Sequence, residues 1–418
     1  RIEAHQKLKQ RGELVRWEDL PIDAHIIFVS HEWVGWSHPD PHGIQLKTFL
    51  RVMKRLECGD IERVDMNPFH RILFKQNEST TRDAWKEILE TAYVWYDWGS
   101  MPQPSACPPG TSNDEIDKLG ANLGKAVKSI PAYVEKSDFV AIVAPGCLHA
   151  HRRDRETNLR TKTCYRTYRS RGWCVLEMFA SYLSRYKTNP ALIITSKEGK
   201  PEWMSHMEIQ KLAVGTCDFT CCQRNHIFGD KTVPCDRGIT QTILETLIDH
   251  KVKYLFNIDE KMRARMCACF KGWWIRTEES PEETCSESLA SFKKFLCWET
   301  DEWKDCGDVS ILFYAVLRND TEAVRLLISG SSIGKDRINA YVFEDGLVEF
   351  GIPARASALF CAMAFASVNI VRILLESGAD PKISDMNGAD PLMYASTFGR
   401  VQNIKLWLSR FPRWNINR

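Results

Sequence analysis

The chain has almost no net charge, no long apolar run and none of the common glycine-rich or nucleophile motifs. Its 418 residues carry a formal net charge of +2, so overall electrostatics favours neither nucleic acid nor an anionic membrane as a partner. No apolar run approaches the roughly 18 residues of a membrane-spanning helix, and the polar start is unlike a signal peptide. The Walker, Gly-x-Gly-x-x-Gly and Gly-x-Ser-x-Gly patterns are missing as well. We therefore expect no nucleic-acid partner, no membrane partner, and none of the enzyme classes that these motifs mark.

Cysteine, by contrast, is plentiful. The chain has 15 cysteines, an odd number, and several lie in apolar helical or strand patterns, such as Cys174, Cys297 and Cys361. A large chain with cysteines in its core pattern is typical of reduced, intracellular proteins rather than disulfide-built secreted ones. We therefore expect a cytoplasmic protein.

Four short apolar runs organise the front half of the chain. They cover residues 25–30, 93–97, 139–144 and 191–194, and helical patterns separate them. Continuous apolar runs of this length are typical of strands that are buried on both faces of a sheet. Strands that alternate with helices predict an α/β domain, with a parallel sheet and helices on both faces. The strongly basic segment 149–171 between the third and fourth strands is expected to be a loop.

The segment 171–180, Arg-Gly-Trp-Cys-Val-Leu-Glu-Met-Phe-Ala, is the most informative motif of this half. It places Trp173 and Glu177 four residues apart, which is one turn and therefore one face of a helix. The predicted helix follows the third strand, and ligands bind at the carboxyl ends of the strands in open parallel sheets. Glu177 is therefore the first candidate for a catalytic carboxylate.

Two further polar residues stand where predicted strands end. His31 follows the first strand and Asp97 ends the second, so both are expected at the same edge of the sheet as Glu177. Each also has a purely structural interpretation. A histidine at a strand end can bond a loop carbonyl, and Asp97 can cap the turn that follows it.

Taken in order, these motifs suggest a family. An apolar strand ends in Ser30, a second strand covers 93–97, Ile130 precedes the third strand, and Trp-Cys-x-x-Glu begins the next helix. Together they resemble a divergent Toll/interleukin-1 receptor (TIR) domain. The resemblance implies a flavodoxin-like parallel sheet and self-association into a homo-oligomer. The chain departs from the family in a longer insert between the first two strands and in the loop that begins at Trp98.

The resemblance also implies a possible activity, because enzymatic TIR domains cleave NAD at the nicotinamide–ribose bond with the glutamate of this motif. By resemblance Glu177 takes that role, since bond breaking builds oxocarbenium-like charge that a carboxylate stabilises. Trp33 or Trp98 would stack on nicotinamide, and Arg171 would hold the pyrophosphate. The residues implied to contact NAD as substrate are Ser30, His31, Trp33, Asp97, Trp98, Arg171 and Trp173. TIR adaptors without activity carry the same motif, with the tryptophan in the core and the glutamate as a surface or capping acid.

A cluster of cysteines with one histidine is the second chemical signal. Its members are Cys217, Cys221, Cys222, His226 and Cys235. Thiolates and an imidazole can complete a tetrahedral zinc site. The spacing is not that of a common zinc finger, and reduced core cysteines are the alternative interpretation. A structural zinc ion bound by these residues is therefore a hypothesis.

The last third of the chain carries an internal repeat. Ala362 and Ala395 are 33 residues apart, as are Leu375 and Leu408, and a third unit over 311–330 is offset by 47. The spacing and the Gly-Ala-Asp-Pro-Leu-Met-Tyr-Ala stretch resemble ankyrin repeats, which are helical and stack into an all-α solenoid.

In the third repeat Asp390 replaces the threonine of the ankyrin pattern, and Met393 replaces its histidine. We expect these two changes to weaken the hydrogen bonds of the first helical turn while keeping the packing.

These features predict four segments. They are an N-terminal extension over 1–23, a TIR-like domain over 24–205, a helical cysteine-containing middle segment over 206–306, and about three ankyrin repeats over 307–418, the first followed by an insert. Because ankyrin arrays bind proteins, the favoured interpretation is an intracellular signalling or scaffold protein. Its array would bind a protein partner and its TIR-like domain would self-associate. The alternative is an NAD hydrolase that uses Glu177.

Overall fold

The computed structural model describes residues 2–75, 79–154, 156–185, 190–228, 231–278, 282–300, 302–304, 309–330, 335–341 and 346–416. The chain divides into two compact units. The first comprises Arg1–Arg71, Gln76–Ser205 and Cys217–Ile243, and the second comprises Ile72–Lys75, His206–Thr216 and Leu244–Arg418. The predicted boundary between 306 and 307 lies outside the described residues.

The strands of the described residues are, in chain order, β1 (His25–Ser30), β2 (Arg63–Asp65), β3 (Ser79–Thr81), β4 (Ala92–Tyr96), β5 (Phe139–Val143), β6 (Cys147–Arg153), β7 (Arg160–Thr163), β8 (Ala191–Ile194), β9 (Glu202–Trp203), β10 (Ile227–Phe228) and β11 (Lys231–Thr232).

The α-helices of the same residues are α1 (His5–Gln10), α2 (Ile44–Cys58), α3 (Pro68–Phe74), α4 (Arg82–Glu90), α5 (Asp97–Ser100), α6 (Asn113–Lys128), α7 (Ile130–Lys136), α8 (Tyr165–Tyr168), α9 (Gly172–Tyr182), α10 (His206–Gln210), α11 (Thr220–Gln223), α12 (Asp236–Asn257), α13 (Lys261–Ile275), α14 (Leu289–Phe295), α15 (Ile311–Leu317), α16 (Thr321–Ser329), α17 (Lys335–Ile338), α18 (Ala358–Phe365), α19 (Val368–Glu376), α20 (Pro391–Thr397) and α21 (Val401–Arg410). Short 3₁₀ turns cover Trp17–Asp19, Pro104–Ala106, Val214–Thr216 and Val348–Phe350. Within the part of the chain described here, none of the helices combines the length and apolarity needed to cross a bilayer.

A five-stranded sheet forms the centre of the first unit. Its order is β4-β1-β5-β8-β9; the first four strands are parallel and β9 pairs antiparallel with β8. The prediction of an α/β domain built on parallel strands is therefore confirmed, with an antiparallel edge strand added. The order of the four parallel strands, second-first-third-fourth, is the one found in flavodoxin-like sheets.

Helices cover both faces of this sheet because alternate strand residues point to opposite sides. Ile27 and Val29 of β1 pack into an apolar cluster with residues of α2 and α4, among them Phe49 and Trp85. Ser30 lies on the other face, where it bonds a residue of α9. This alternation places the polar end of β1 on the side of the sheet that α9 covers.

The basic segment 149–171 is not a loop, as the sequence predicted, but is largely an antiparallel ribbon of β6 and β7 followed by the short helix α8. Burial alternates along the start of β6, with Cys147 and His149 buried and Leu148 exposed. Strands are predicted from alternating apolar residues, and this segment has too few of them because most of its side chains are basic or polar. Residue 155 of this segment lies outside the described residues.

The second unit contains three helix pairs at the positions of the predicted repeats: α15 with α16, α18 with α19, and α20 with α21. The first helices of the pairs pack side by side, and so do the second helices. Ser310, Ser357 and Asp390 cap α15, α18 and α20 by accepting bonds from backbone N–H groups of the first turn. The expected weakening at Asp390 is wrong, because its carboxylate accepts from the Met393 N–H at 2.8 Å and so replaces the threonine cap.

Two helices of the middle segment extend this stack, since α13 packs beside α15 and α14 packs beside α16. The rings of Phe270 and Trp273 on α13 pack edge-on against Phe365 at 5.0 and 5.6 Å. All residues of α15 and α18 are buried. The exposed side chains of the array therefore come mainly from its second helices.

Candidate functional site

Polar residues converge where β1 and β4 end. Ser30, His31 and Glu32 are consecutive, and each is no more than 5% exposed. Asp97 follows β4, the strand that pairs with β1, and Glu177 reaches the same place from α9. We call Ser30, His31, Glu32, Asp97 and Glu177 the strand-end cluster. Parallel strands explain it, because their carboxyl ends meet at one edge of the sheet.

Glu177 is held by hydroxyl groups. Ser30 Oγ donates to Glu177 Oε2, and the same Oγ lies 2.5 Å from the Tyr168 hydroxyl. Burial of the carboxyl raises the pKa of Glu177 to about 8, the Ser30 bond opposes this rise, and the charge of Asp97 adds to it. The carboxyl is thus largely protonated at neutral pH in this structure.

His31 is buried and pairs with Asp97. His31 Nε2 lies 3.2 Å from Asp97 Oδ1, while Nδ1 lies 3.0 Å from the amide oxygen of Gln45. Burial alone would lower the pKa of His31, but the Asp97 carboxylate outweighs it and the pKa is raised. Burial would likewise raise the pKa of Asp97, yet His31 and two N–H donors hold it below its usual range. Those donors are the Trp33 indole at 2.6 Å and the Trp98 backbone at 2.6 Å.

Glu32 is the third carboxylate, and basic residues surround it. Thr167 donates to its Oε2 at 2.6 Å, and Arg152 and Arg171 lie 3.3 and 3.9 Å from its Oε1. Burial raises the pKa of Glu32, although Thr167 and the two guanidinium groups oppose the rise. The basic ribbon therefore supplies a cation that reaches into the strand-end cluster.

The start of α9 is anchored by residues 217–236, which we call the cysteine loop. Arg171 donates to Thr220, and Trp173 Nε1 donates to Asp236 at 3.1 Å. Gly172 is needed between them, because a Cβ there would collide with the Phe219 ring. The helix that carries Glu177 is thus tied to the cysteine loop at its first turn.

The structure brings together most of the residues that the sequence singled out. Ser30 donates to Glu177, His31 and Trp33 both bond Asp97, and Trp98 packs edge-on against Trp33 at 5.7 Å. Arg171 lies near Glu32 of the same cluster. The Trp173 indole instead donates to Asp236, so this side chain is bonded to the cysteine loop.

Sequence reasoning missed several residues that bond members of the strand-end cluster: Gln45, Arg152, Thr167 and Tyr168. Gln45 opens an amphipathic helix and looks like a solvent-facing residue in sequence, yet it is 2% exposed. A buried polar residue at the start of a helix is a usable signal only once the preceding strand is placed.

The cysteine loop gathers part of the predicted metal cluster. Ligand atoms of Cys221, His226 and Cys235 lie within 4.8 Å of one another, and Cys222 Sγ lies 3.6 Å from Cys235 Sγ. Cys217 is buried and is not a member of that three-residue group among the described residues. Three of the five predicted ligands therefore lie close together, and Cys222 lies beside one of them.

Comparison with known proteins identifies the C-terminal part. Residues 312–417 match the family described as Ankyrin repeats (3 copies), which confirms the predicted repeats and their number. No curated protein matches the chain. The matched region supports a protein-binding role, since stacked ankyrin repeats present extended binding surfaces. The TIR resemblance of the α/β unit stays a prediction.

Proposed function

We propose that this protein is an intracellular signalling or scaffold protein whose ankyrin array binds a protein partner. The observation that carries the proposal is the array itself, three matched repeats stacked as helix pairs. A solenoid of this kind offers a continuous surface made of equivalent positions in successive repeats. We place the partner surface on the second helix of each pair. The reason is that α15 and α18, which are the first helices of the first two pairs, are buried along their whole length.

A row of basic side chains marks that surface. Arg325, Arg372 and Lys405 are the fifth residues of α16, α19 and α21, and all three are exposed. They therefore recur once per repeat on the same side of the array. A row of like charges at repeat spacing favours an acidic segment of a partner, since complementary charge speeds encounter and fixes register.

Charge reversal tests the assignment. The full chain is used to capture partners from cell extract, and the captured proteins are compared with those of the triple variant Arg325→Glu, Arg372→Glu, Lys405→Glu. The matched control reverses Lys118, Lys125 and Lys128, which are exposed on α6 of the other unit. A protein captured by wild type and control but lost from the triple variant supports the proposal. Equal capture by all three proteins removes the basic row from the partner surface.

The α/β unit is proposed to self-associate, as its TIR resemblance implies. Sedimentation of the full chain over a wide concentration range measures this directly. A rise in mass with concentration supports the proposal, and a constant monomer mass up to high concentration contradicts it.

A second candidate is hydrolysis of NAD to nicotinamide and ADP-ribose, favoured by the position of Glu177 beside Ser30 at the carboxyl end of the sheet. Water adds to the ribose carbon and releases one proton to solvent as the bond to nicotinamide breaks, and an ionised Glu177 would stabilise the cationic ribose. The test measures NAD consumption and nicotinamide release by wild type, Glu177→Ala and the exposed control Glu57→Gln. Release by wild type and control alone supports the activity. Release that survives Glu177→Ala removes Glu177 from the reaction, and no release by any of them leaves the binding function.

A further inference from the structure

We propose that the cysteine loop holds one zinc ion through Cys221, Cys222, His226 and Cys235. Three thiolates and one imidazole form a donor set that structural zinc sites use. The four residues lie in one short stretch of the first unit, between α9, which the loop anchors, and α12, which follows it.

The distances fit a tetrahedral ion. With zinc–sulfur bonds of about 2.3 Å, two thiolates on a tetrahedral ion stand about 3.8 Å apart. Cys222 Sγ and Cys235 Sγ are 3.6 Å apart. Ligand atoms of Cys221, His226 and Cys235 lie within 4.8 Å of one another, so a small contraction brings these three onto one ion. Cys222, which lies beside Cys235 but outside that three-residue group, moves closer to complete the four ligands.

The backbone is built to present these ligands. Asn225 and His226 both have positive φ, 49° and 59°, a conformation that costs free energy in residues other than glycine. It turns the chain back so that the His226 N–H donates to the Cys221 carbonyl at 2.7 Å. The β10–β11 hairpin then returns the chain, and the Val233 N–H donates to the His226 carbonyl at 2.8 Å. A metal ion that binds both Cys221 and His226 would explain why the chain adopts this turn.

Two atoms of the cluster point to the ion independently of the distances. His226 Nδ1 is buried and has no hydrogen-bond partner among the described residues, a costly state that a metal bond would relieve. The sulfur of Cys221 accepts a bond from the Asp236 N–H at 3.3 Å.

A disulfide is the competing use of these cysteines. The 3.6 Å between Cys222 and Cys235 sulfurs is well beyond the roughly 2.0 Å of a disulfide bond. A disulfide would also use two of the four groups and leave His226 Nδ1 unpaired. The zinc site accounts for all four.

Zinc at this position would brace the helix that carries Glu177. Thr220 lies beside Cys221 and accepts from Arg171, while Asp236 lies beside Cys235 and accepts from Trp173. The two anchors of α9 therefore flank the ligands in sequence. An ion that fixes the ligands fixes both anchors, so removing it should loosen the first turn of α9.

The experiment uses the full chain, purified with a reductant and without chelator, and measures zinc by mass spectrometry. We expect about one zinc per chain, lost in Cys235→Ser and in Cys222→Ser, and retained in Cys217→Ala and in the exposed-thiol control Cys58→Ser. Cobalt added to chelator-treated wild type provides a second readout that needs no variant. A charge-transfer band of three-thiolate strength with tetrahedral visible bands supports the ligand set.

Hydrogen exchange of the α9 backbone amides measures whether removing zinc loosens this helix. Chelation should increase exchange in the first turn of α9 in wild type, and added zinc should reverse it. Wild type that holds under about 0.2 zinc per chain and binds no cobalt under reducing conditions overturns the proposal. Zinc that persists in Cys222→Ser, or is lost in Cys217→Ala while that variant stays folded, overturns the ligand assignment.

Discussion

Replacing Glu177 by glutamine should change how the stability of the α/β unit depends on pH. The pKa of this carboxyl is about 8 in the fold, against an ordinary value of 4.5. A carboxyl whose pKa is raised stabilises the fold fully below its unfolded pKa, and that stability is lost as pH rises toward the folded pKa. The unfolded chain releases the proton from pH 4.5 upward, whereas the folded chain keeps it until about pH 8. Glutamine has the shape of the protonated side chain and does not ionise.

The size of the effect follows from linkage. Each pH unit between the two pKa values changes the free energy of unfolding by about 1.4 kcal/mol. The stability of Glu177→Gln relative to wild type should therefore rise with that slope from pH 5 to pH 8, a total of about 4 kcal/mol, and level off above pH 8. The Ser30 hydroxyl keeps an acceptor in the variant, because the amide oxygen can replace the carboxyl oxygen.

Urea unfolding with pulse-labelling hydrogen exchange provides the assay, because peptides from α9 report the first unit separately from the ankyrin helices. Glu57→Gln serves as the control, because Glu57 is exposed on α2. Parallel pH profiles for wild type and Glu177→Gln would refute the reasoning. They would mean that Glu177 titrates as an ordinary solvent-exposed carboxyl.

Three further substitutions test the packing and capping around these sites. Gly172→Ala should destabilise the first unit by about 1–3 kcal/mol, because the added Cβ displaces the Phe219 ring, and urea unfolding of α9 peptides should detect it; an unchanged midpoint would show that the ring moves freely. Asp390→Ala should cost about 1 kcal/mol by removing the cap of α20, and it also removes the bond from the Trp414 indole to this carboxylate; Asp390→Asn keeps a capping oxygen and should lose less than alanine. Phe365→Ala removes a fully buried ring and should lower the unfolding free energy of the second unit by about 3–5 kcal/mol, measured on α18 peptides, with α9 peptides unchanged if the unit unfolds independently.

The sequence was most informative where hydrophobic periodicity was strong. The run over 25–30 is a strand with the same limits, and the run over 139–144 is a strand that ends one residue earlier. Repeat spacing identified the three helix pairs without any structural information. These features depend on local pattern, which a single sequence displays.

Long-range geometry was only partly accessible. Parallel pairing predicted that residues at strand ends would meet, and it correctly joined His31 to Asp97 across β1 and β4. It could not predict that Gln45 would hydrogen-bond His31, because hydrophobic periodicity does not specify the direction of α2 relative to the sheet. The partner of the Trp173 indole was inaccessible for a similar reason, since Asp236 lies 63 residues away in the sequence.

The charges of the three carboxyls in the strand-end cluster relate the stability of this site to its proposed function. Asp97 is hydrogen-bonded to His31, and Glu32 is flanked by the guanidinium groups of Arg152 and Arg171, so two of the three carboxyls have basic neighbours. Glu177 instead holds a proton up to about pH 8, and a neutral carboxyl cannot stabilise a cationic ribose. NAD cleavage therefore requires that the positively charged nicotinamide ring displace this proton on binding, because an adjacent cation lowers the pKa of a carboxyl. An NAD-cleaving site would release about one proton per NAD bound near pH 7. Its rate of NAD cleavage would increase as the pH rises toward 8. A site that only supports self-association has no reason to release a proton to a nucleotide, so calorimetry of NAD binding in buffers of different ionisation enthalpy separates the two functions.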